Sequence, residues 1–170
     1  MSNNKNLLVE YIPFVYNQVE LNESIQENRT VRVPAILQRA NQKNQNGRVY
    51  PKDILFRESQ KYLAEFVNQH RALGECDHPE SRTVVNLANV SHNVVEMHWE
   101  GDDLVGIVEI LSTPSGNIVK ELMRSGIRLG LSSRGVGSVK TLGEGAVEVE
   151  DDYSLICFDF QSHFHSHFQF

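Results

Sequence analysis

The sequence predicts an α+β domain in which two helices pack on an antiparallel, barrel-like sheet. Three observations lead there. Val-rich stretches flank the turn signal Glu100-Gly101-Asp102-Asp103, the pattern of a β-hairpin. Two segments carry apolar residues at helical spacing, and each is followed by a glycine. Most of the remaining apolar stretches are short and rich in β-branched or aromatic residues.

Taken in order, Leu7 to Tyr16 reads as a first strand and residues 17–30 as a polar loop. Val31 to Leu37 is a second strand, which Pro34 confines to a sheet edge or a bulge. Asn41 to Gly47 is Asn/Gln-rich and reads as an exposed turn. Pro51 suits a first helical turn, where its missing N–H is not needed. Leu55, Tyr62, Leu63 and Phe66 then share one helical face, and Gly74 is read as the stop. Val84 to Trp99 and Leu104 to Leu111 form the hairpin. A second helix carries Ile118, Val119, Leu122 and Met123, opens near Ser112-Thr113-Pro114-Ser115-Gly116 and ends at Gly126. In the strand that follows, Ile127, Leu129 and Leu131 alternate with Arg128, Gly130 and Ser132, which turns Ser132 away from the apolar set. Ala146 to Glu150 and Tyr153 to Phe160 complete the strands. There is no internal repeat.

A chain of 170 residues, 40% hydrophobic and 22% charged, fits one soluble globular domain. We assign residues 1–160 to it and 161–170 to an atypical His/Phe-rich tail outside the core. A net charge of −6 argues against general nucleic-acid binding. Cys76 and Cys157 make no disulfide framework and fit a reducing compartment. No secretory signal is visible, and the apolar runs fall short of the ~18 residues of a membrane span. No cofactor and no metal are expected.

Two segments carry candidate chemistry. Gly74-Glu75-Cys76-Asp77-His78-Pro79 sets an imidazole among carboxylates, which can raise its pKa or fix its tautomer. Gly130-Leu131-Ser132-Ser133-Arg134-Gly135 closes a strand with hydroxyls, a guanidinium and glycines, and turn N–H groups there could stabilise an oxyanion. Acyl transfer needs a nucleophile, a base and such donors, and folding could join these segments to supply all three. Residue types alone leave a surface turn plus a strand end as the alternative. Other signatures are missing: Arg134 stands where a nucleophile elbow needs its second glycine, and no phosphate loop is present. Cys76 and His78 make only half a zinc site. His163, His165 and His167 alternate in the tail, where an unstructured end competes with a metal site. His92 and His98 read as structural, and His70 as closing a helix, where positive charge is favourable.

Four motifs occur in one order: Asn46-Gly47-Arg48-Val49-Tyr50-Pro51, the Gly74 to Pro79 segment, Leu104-Val105-Gly106-Ile107-Val108-Glu109-Ile110-Leu111, and Gly130 through Ser138. In this order, over nearly the whole chain, the sequence resembles the prohead core protease family of tailed phages. The resemblance implies a fold related to the herpesvirus assemblin proteases. It also implies a serine endopeptidase of head assembly that cleaves scaffold or core proteins, trims the major capsid protein and often cuts itself. It would work inside the assembling prohead in the host cytoplasm, and dimerisation among the assemblin relatives admits a homo-oligomer. By the family pattern Ser132 is the nucleophile and His78 its base, with Ser133 the competing serine; alternation favours Ser132.

The third catalytic member in the assemblin relatives is a histidine on a later strand. Here Asp159 takes that place, sharing a strand face with Tyr153, Leu155 and Cys157, where a carboxylate needs a partner. We read it as orienting His78, against a plain strand-end Asp, with Glu75 and Asp77 as alternative partners. Arg134 and the N–H groups of Arg134 and Gly135, beside Ser133, are the oxyanion and substrate-binding candidates. The tail from Gln161 onward departs from the family's Asp/Asn-Pro-Ser ending. A catalytically impaired head-assembly or scaffold-binding protein of the same fold is therefore the alternative function.

Overall fold

The computed structural model describes residues 5–77, 83–143 and 145–162. Its architecture is α+β. A first antiparallel sheet has the order β1 (Asn6–Pro13), β7 (Gly130–Gly137), β10 (Ser154–Gln161). A second has the order β2 (Val31–Arg39), β6 (Asp103–Ile110), β5 (Val90–Glu100), β4 (Leu73–Glu75), also antiparallel. A small third sheet orders β3 (Arg48–Val49), β9 (Ala146–Val149) and β8 (Val139–Gly143), with β3 parallel to β9. The helices are α1 (Gln18–Gln26), α2 (Lys52–Tyr62), extended by a π-helical turn Leu63–Val67, and α3 (Pro114–Arg124). No helix among the described residues is long and apolar enough to cross a membrane.

The hairpin forms as the sequence predicts: β5 and β6 pair from His92–Ile110 to Glu100–Asp103 around Gly101, whose φ of 59° few other residues adopt readily. Pro34 sits on β2, an edge strand, where the lost N–H costs no ladder bond. Thr113 caps α3 by accepting from the Gly116 N–H at 3.0 Å, and Gly126 (φ 77°) follows its end. The main core gathers Phe14, Leu37, Val108, Val119, Met123, Leu131, Phe158 and Phe160. A second cluster joins Leu8, Tyr50, Leu55, Val149 and Tyr153.

Five expectations are corrected. Residues 17–30 contain α1, whose Asn17 side chain accepts from the Glu20 N–H at 3.0 Å. Only Leu21 of this helix is buried, so its apolar signal is too thin to register; the Asn17-x-x-Glu20 spacing of a capping box was the available cue. Gly74 does not stop α2. The π turn ends at Val67, the chain reverses through His70 at φ 55°, and Gly74 lies inside β4. The strand expected from Val84 starts only at Val90, after a 3-10 turn at Leu87–Asn89. The strand expected to end at Ser132 continues to Gly137, and β8 was not foreseen. Finally, the sheets do not close into a barrel among the described residues. The two main sheets are joined by a single parallel bridge, Cys76 to Phe160, while β1 and β2 remain outer strands, each with a proline that has no N–H to offer a further neighbour.

Candidate active site

β7 is the middle strand of its sheet, so its backbone is paired on both sides. Ser132 faces Tyr11 on β1 and Asp159 on β10, whereas Ser133 faces Glu10 and Phe158. Directly opposed residues share a sheet face. Ser132 therefore lies with Asp159 and Arg134, and Ser133 with Leu131, Phe158 and Phe160 of the main core. Ser132 is fully buried and its hydroxyl is 3.5 Å from the Asp159 carbonyl oxygen. The Ser133 hydroxyl, also buried, has no hydrogen-bond partner among the described residues. Gly130, on the Ser132 face, is needed because the Tyr11 ring occupies the space a Cβ would fill.

The Ser-Ser-Arg-Gly run was expected as a turn offering free N–H groups; it is instead a buried strand. Arg134 pairs with Val9 and Cys157, and Gly135 with Leu8 and Leu155, while the Gly135 α-carbon leaves room for the Tyr153 ring. The premise of a turn-built oxyanion site at Arg134 and Gly135 is thereby replaced.

Arg134 is the centre of a buried ion cluster. Its Nε donates to Asp159 Oδ2 at 3.0 Å, and one terminal nitrogen donates to Asp159 Oδ1 at 3.2 Å and to Glu75 Oε2 at 2.8 Å. The Glu75 N–H adds a 3.0 Å bond to Asp159 Oδ1. Arg134, Asp159 and Glu75 are each no more than 1% exposed. Burial pushes the Asp159 carboxyl above the ordinary range and Arg134 pulls it back. Burial works against the guanidinium charge too, but the Asp159 and Glu75 carboxylates override it and hold the arginine more firmly protonated. Burial and the Asp159 charge raise the Cys157 thiol well above its usual value, which keeps it a neutral thiol. Three strands, β4, β7 and β10, are thus tied by one guanidinium.

The cluster fixes the segment that leads to the predicted base. Glu75 also accepts from the Asn86 N–H (3.1 Å) and the Asn89 amide (3.3 Å). The Asn89 amide donates to the Cys76 carbonyl at 2.7 Å, and the Asp77 N–H donates to the Phe160 carbonyl at 2.7 Å. Asp77, at φ 67°, leaves β10 there. His78 itself lies outside the described residues, as do His163, His165 and His167. Asp77 and Ser132 flank β10 from opposite sides, each about one strand spacing (~4.8 Å) from it. Of the predicted residues, then, Ser132, Arg134 and Asp159 share one face. Ser133 points into the core, and Gly135 serves ring packing.

Two further buried polar groups support the fold, and sequence reasoning missed the first of them. Glu10 accepts from Arg48 (2.7 Å), Asn44 (2.8 Å), Asn46 (2.9 Å) and the Tyr50 hydroxyl, so the Asn46 to Pro51 motif serves to hold β1 opposite Ser133. Its signal was the motif, whose partner on β1 is remote in sequence. His92, read as structural, is fully buried with Nε2 2.6 Å from the Phe158 carbonyl and Nδ1 2.7 Å from the Ser91 hydroxyl. A carbonyl only accepts, so Nε2 carries the proton and Nδ1 accepts from Ser91. Burial lowers this imidazole from 6.5 to about 4, against the raising effect of the Phe158 bond. The unfolded chain then takes up a proton below about pH 6.5 that the folded one refuses until about pH 4. Stability should fall as pH drops through that window. Urea midpoints measured from pH 7 to 4 should show a decline that flattens in His92→Gln; equal slopes would exclude His92 as its source.

The sequence profile of the family described as Prohead core protein serine protease matches residues 6–159. The chain is 32% identical over 125 residues to the Prohead core protein protease of Enterobacteria phage T4, a match covering 72% of this chain and 58% of that relative. The chain thus spans a little over half the length of that curated relative. The fold is similar to the solved structure of the bacteriophage T4 capsid assembly protease, gp21, with a TM-score of 0.79, 25% identity, and coverage of 93% of this chain and 98% of the other. A matching profile over nearly the whole chain decides the matter: this chain belongs to the prohead core protein serine protease family.

Proposed function

We propose that the protein is the serine endopeptidase of phage head assembly, cleaving scaffold or core proteins and trimming capsid protein within the prohead, in the host cytoplasm. One observation carries the reading: Ser132 lies on the sheet face of the Glu75–Arg134–Asp159 cluster, one strand across from the segment that ends at Asp77, next to His78. In this scheme Ser132 Oγ attacks the scissile carbonyl and His78 takes its proton. His78 then returns the proton to the leaving amine, and water repeats the sequence on the acyl-enzyme. Arg134 and Asp159 act through each other as positioning residues. They set the register of β7 against β10 and, through Glu75, hold the strand that delivers His78. In the same proposal the chain cuts itself as well as its partners. The relation to the herpesvirus assemblin proteases, and a homo-oligomer, rest on the family resemblance.

The test is coexpression with the phage scaffold followed by mass spectrometry. Ser132→Ala should lower cleavage by at least about 10³-fold, the scale of losing a nucleophile, and His78→Ala likewise, with the thermal transition retained. Ser133→Ala should cleave within a few-fold of the parent. Normal cleavage by Ser132→Ala would discard the assignment. The complete burial of Ser132 favours a second reading, a head-assembly protein of this fold without peptidase activity. Scaffold that stays intact with the parent chain, together with no labelling of Ser132 by a serine-reactive phosphonate, would select it.

A further inference from the structure

Gln161, the last residue of β10, is 2% exposed, and among the described residues neither its amide oxygen nor its amide nitrogen has a hydrogen-bond partner. Leaving a buried polar group unpaired costs on the order of 1–3 kcal/mol, so two such atoms on one side chain mark a place kept for something else. Gln161 lines a cavity of about 170 Å³ whose other walls include Val119, Leu122, Leu129, Phe160 and Asp77. Val119, Leu129 and Phe160 are buried core residues, which makes the floor apolar, while Asp77 is exposed. Gln161 pairs with Gly130, two residues along β7 from Ser132, a separation of roughly 7 Å. Gln161 thus sits on the strand pair that carries the nucleophile assigned above, and the cavity reaches Asp77, where the segment that leads to its base begins.

A carboxamide presents an acceptor and donors in one plane, the complement of the C=O and N–H of a peptide main chain. We propose that Gln161 is a main-chain docking group for the polypeptide substrate, and that the cavity takes the aliphatic side chain beside the peptide group it binds. A dry cavity of roughly 150 Å³ accommodates benzene, so this one has room for a leucine-sized group. The inference rests on the peptidase reading. Gln161 is a specificity residue that touches substrate without taking part in bond making.

The experiment uses the full-length Ser132→Ala chain, so that binding is read without turnover. N-acetyl-leucine-methylamide is titrated while the Gln161 side-chain amide is followed by ¹⁵N NMR. The Gln161 signals should shift saturably. N-acetyl-glycine-methylamide and N-acetyl-leucine methyl ester, which lack the side chain and the N–H respectively, should bind about tenfold more weakly, as should Gln161→Met with the leucine probe, followed through the backbone amides of residues 129 and 160 in both chains. Methionine keeps the length of the side chain, and an unchanged thermal transition confirms its fold. Gln161→Leu gives a second variant if the first fails to fold. Signals that do not move, or equal affinity for all probes and variants, would overturn the proposal. So would signals that shift with protein concentration alone, or a proximity signal from Gln161 to residues 163–170 that the probe does not displace. Those results would assign the cavity to a second copy or to the chain's own end. Failure here leaves the Ser132→Ala cleavage result standing, and the reverse also holds.

Discussion

Replacing Arg134 by leucine should lower the unfolding free energy by about 3–5 kcal/mol, the cost of stripping the partner from a buried ion pair. For a domain of this size that is roughly 10 °C or more in melting temperature. The reason is local. Asp159 and Glu75 would keep two carboxylates in a space that excludes water, faced by main-chain and amide N–H groups and the weakly donating Cys157 thiol. The loss should depend on pH with a definite sign. Burial already raises Asp159, and Arg134 is the chief opposing influence. Without it the folded-state pKa climbs further, so between the unfolded carboxylate value of about 3.9 and the raised one the native state binds more protons than the unfolded chain. Stability then increases as pH falls through that range. Denaturant titrations should show the deficit of Arg134→Leu shrinking toward acid pH, and adding Glu75→Gln and Asp159→Asn should recover much of it. A deficit that widens in acid would refute the account.

Gly74→Ala should be comparably damaging. A Cβ there would fall inside van der Waals contact of the Phe158 carbonyl oxygen and of His92 Nε2 and Cε1. The oxygen belongs to β10 and cannot rotate away. Overfilling a packed site costs about 1–3 kcal/mol. Here it also separates His92 from Phe158, leaving a buried N–H and C=O unpaired for on the order of 1–3 kcal/mol more. Together, about 4 kcal/mol, or a protein recovered mostly in the insoluble fraction, is expected. Equilibrium unfolding within 1 kcal/mol of the parent would show that β4 can retreat from β10 and that the packing described above is not tight.

Much of the fold was legible because its signals are local. The β5–β6 hairpin announces itself through Glu100-Gly101-Asp102-Asp103, α3 through Thr113-Pro114 and Gly126, and the edge position of β2 through Pro34. What was missed lacks such signals. β7 was cut short because Ser132, Ser133, Arg134 and Gly135 show no apolar alternation. Their burial is made tolerable by Glu75 and Asp159, residues remote in sequence that no window of the chain brings together. In the same way the role of Gly74 depends on His92 and Phe158 and not on the helix before it. The sequence set Ser132 apart from Ser133 by the two-residue period of a strand, and the register against β10 repeats that division. Asp159 attracted notice as a carboxylate among apolar neighbours. Its partner in the described residues is a guanidinium two residues beyond Ser132.

The bridge from Cys76 to Phe160 has a mechanical corollary. Among the described residues it is the sole backbone rung between the two main sheets, and it stands beside the ties that Glu75 and His92 make across the same seam. The same rung carries the 2.7 Å bond from Asp77 to β10. A shear that slides one sheet over the other therefore pulls on residue 77 together with the Glu75 and His92 ties, so motion between the sheets is transmitted to the segment that leads to residue 78.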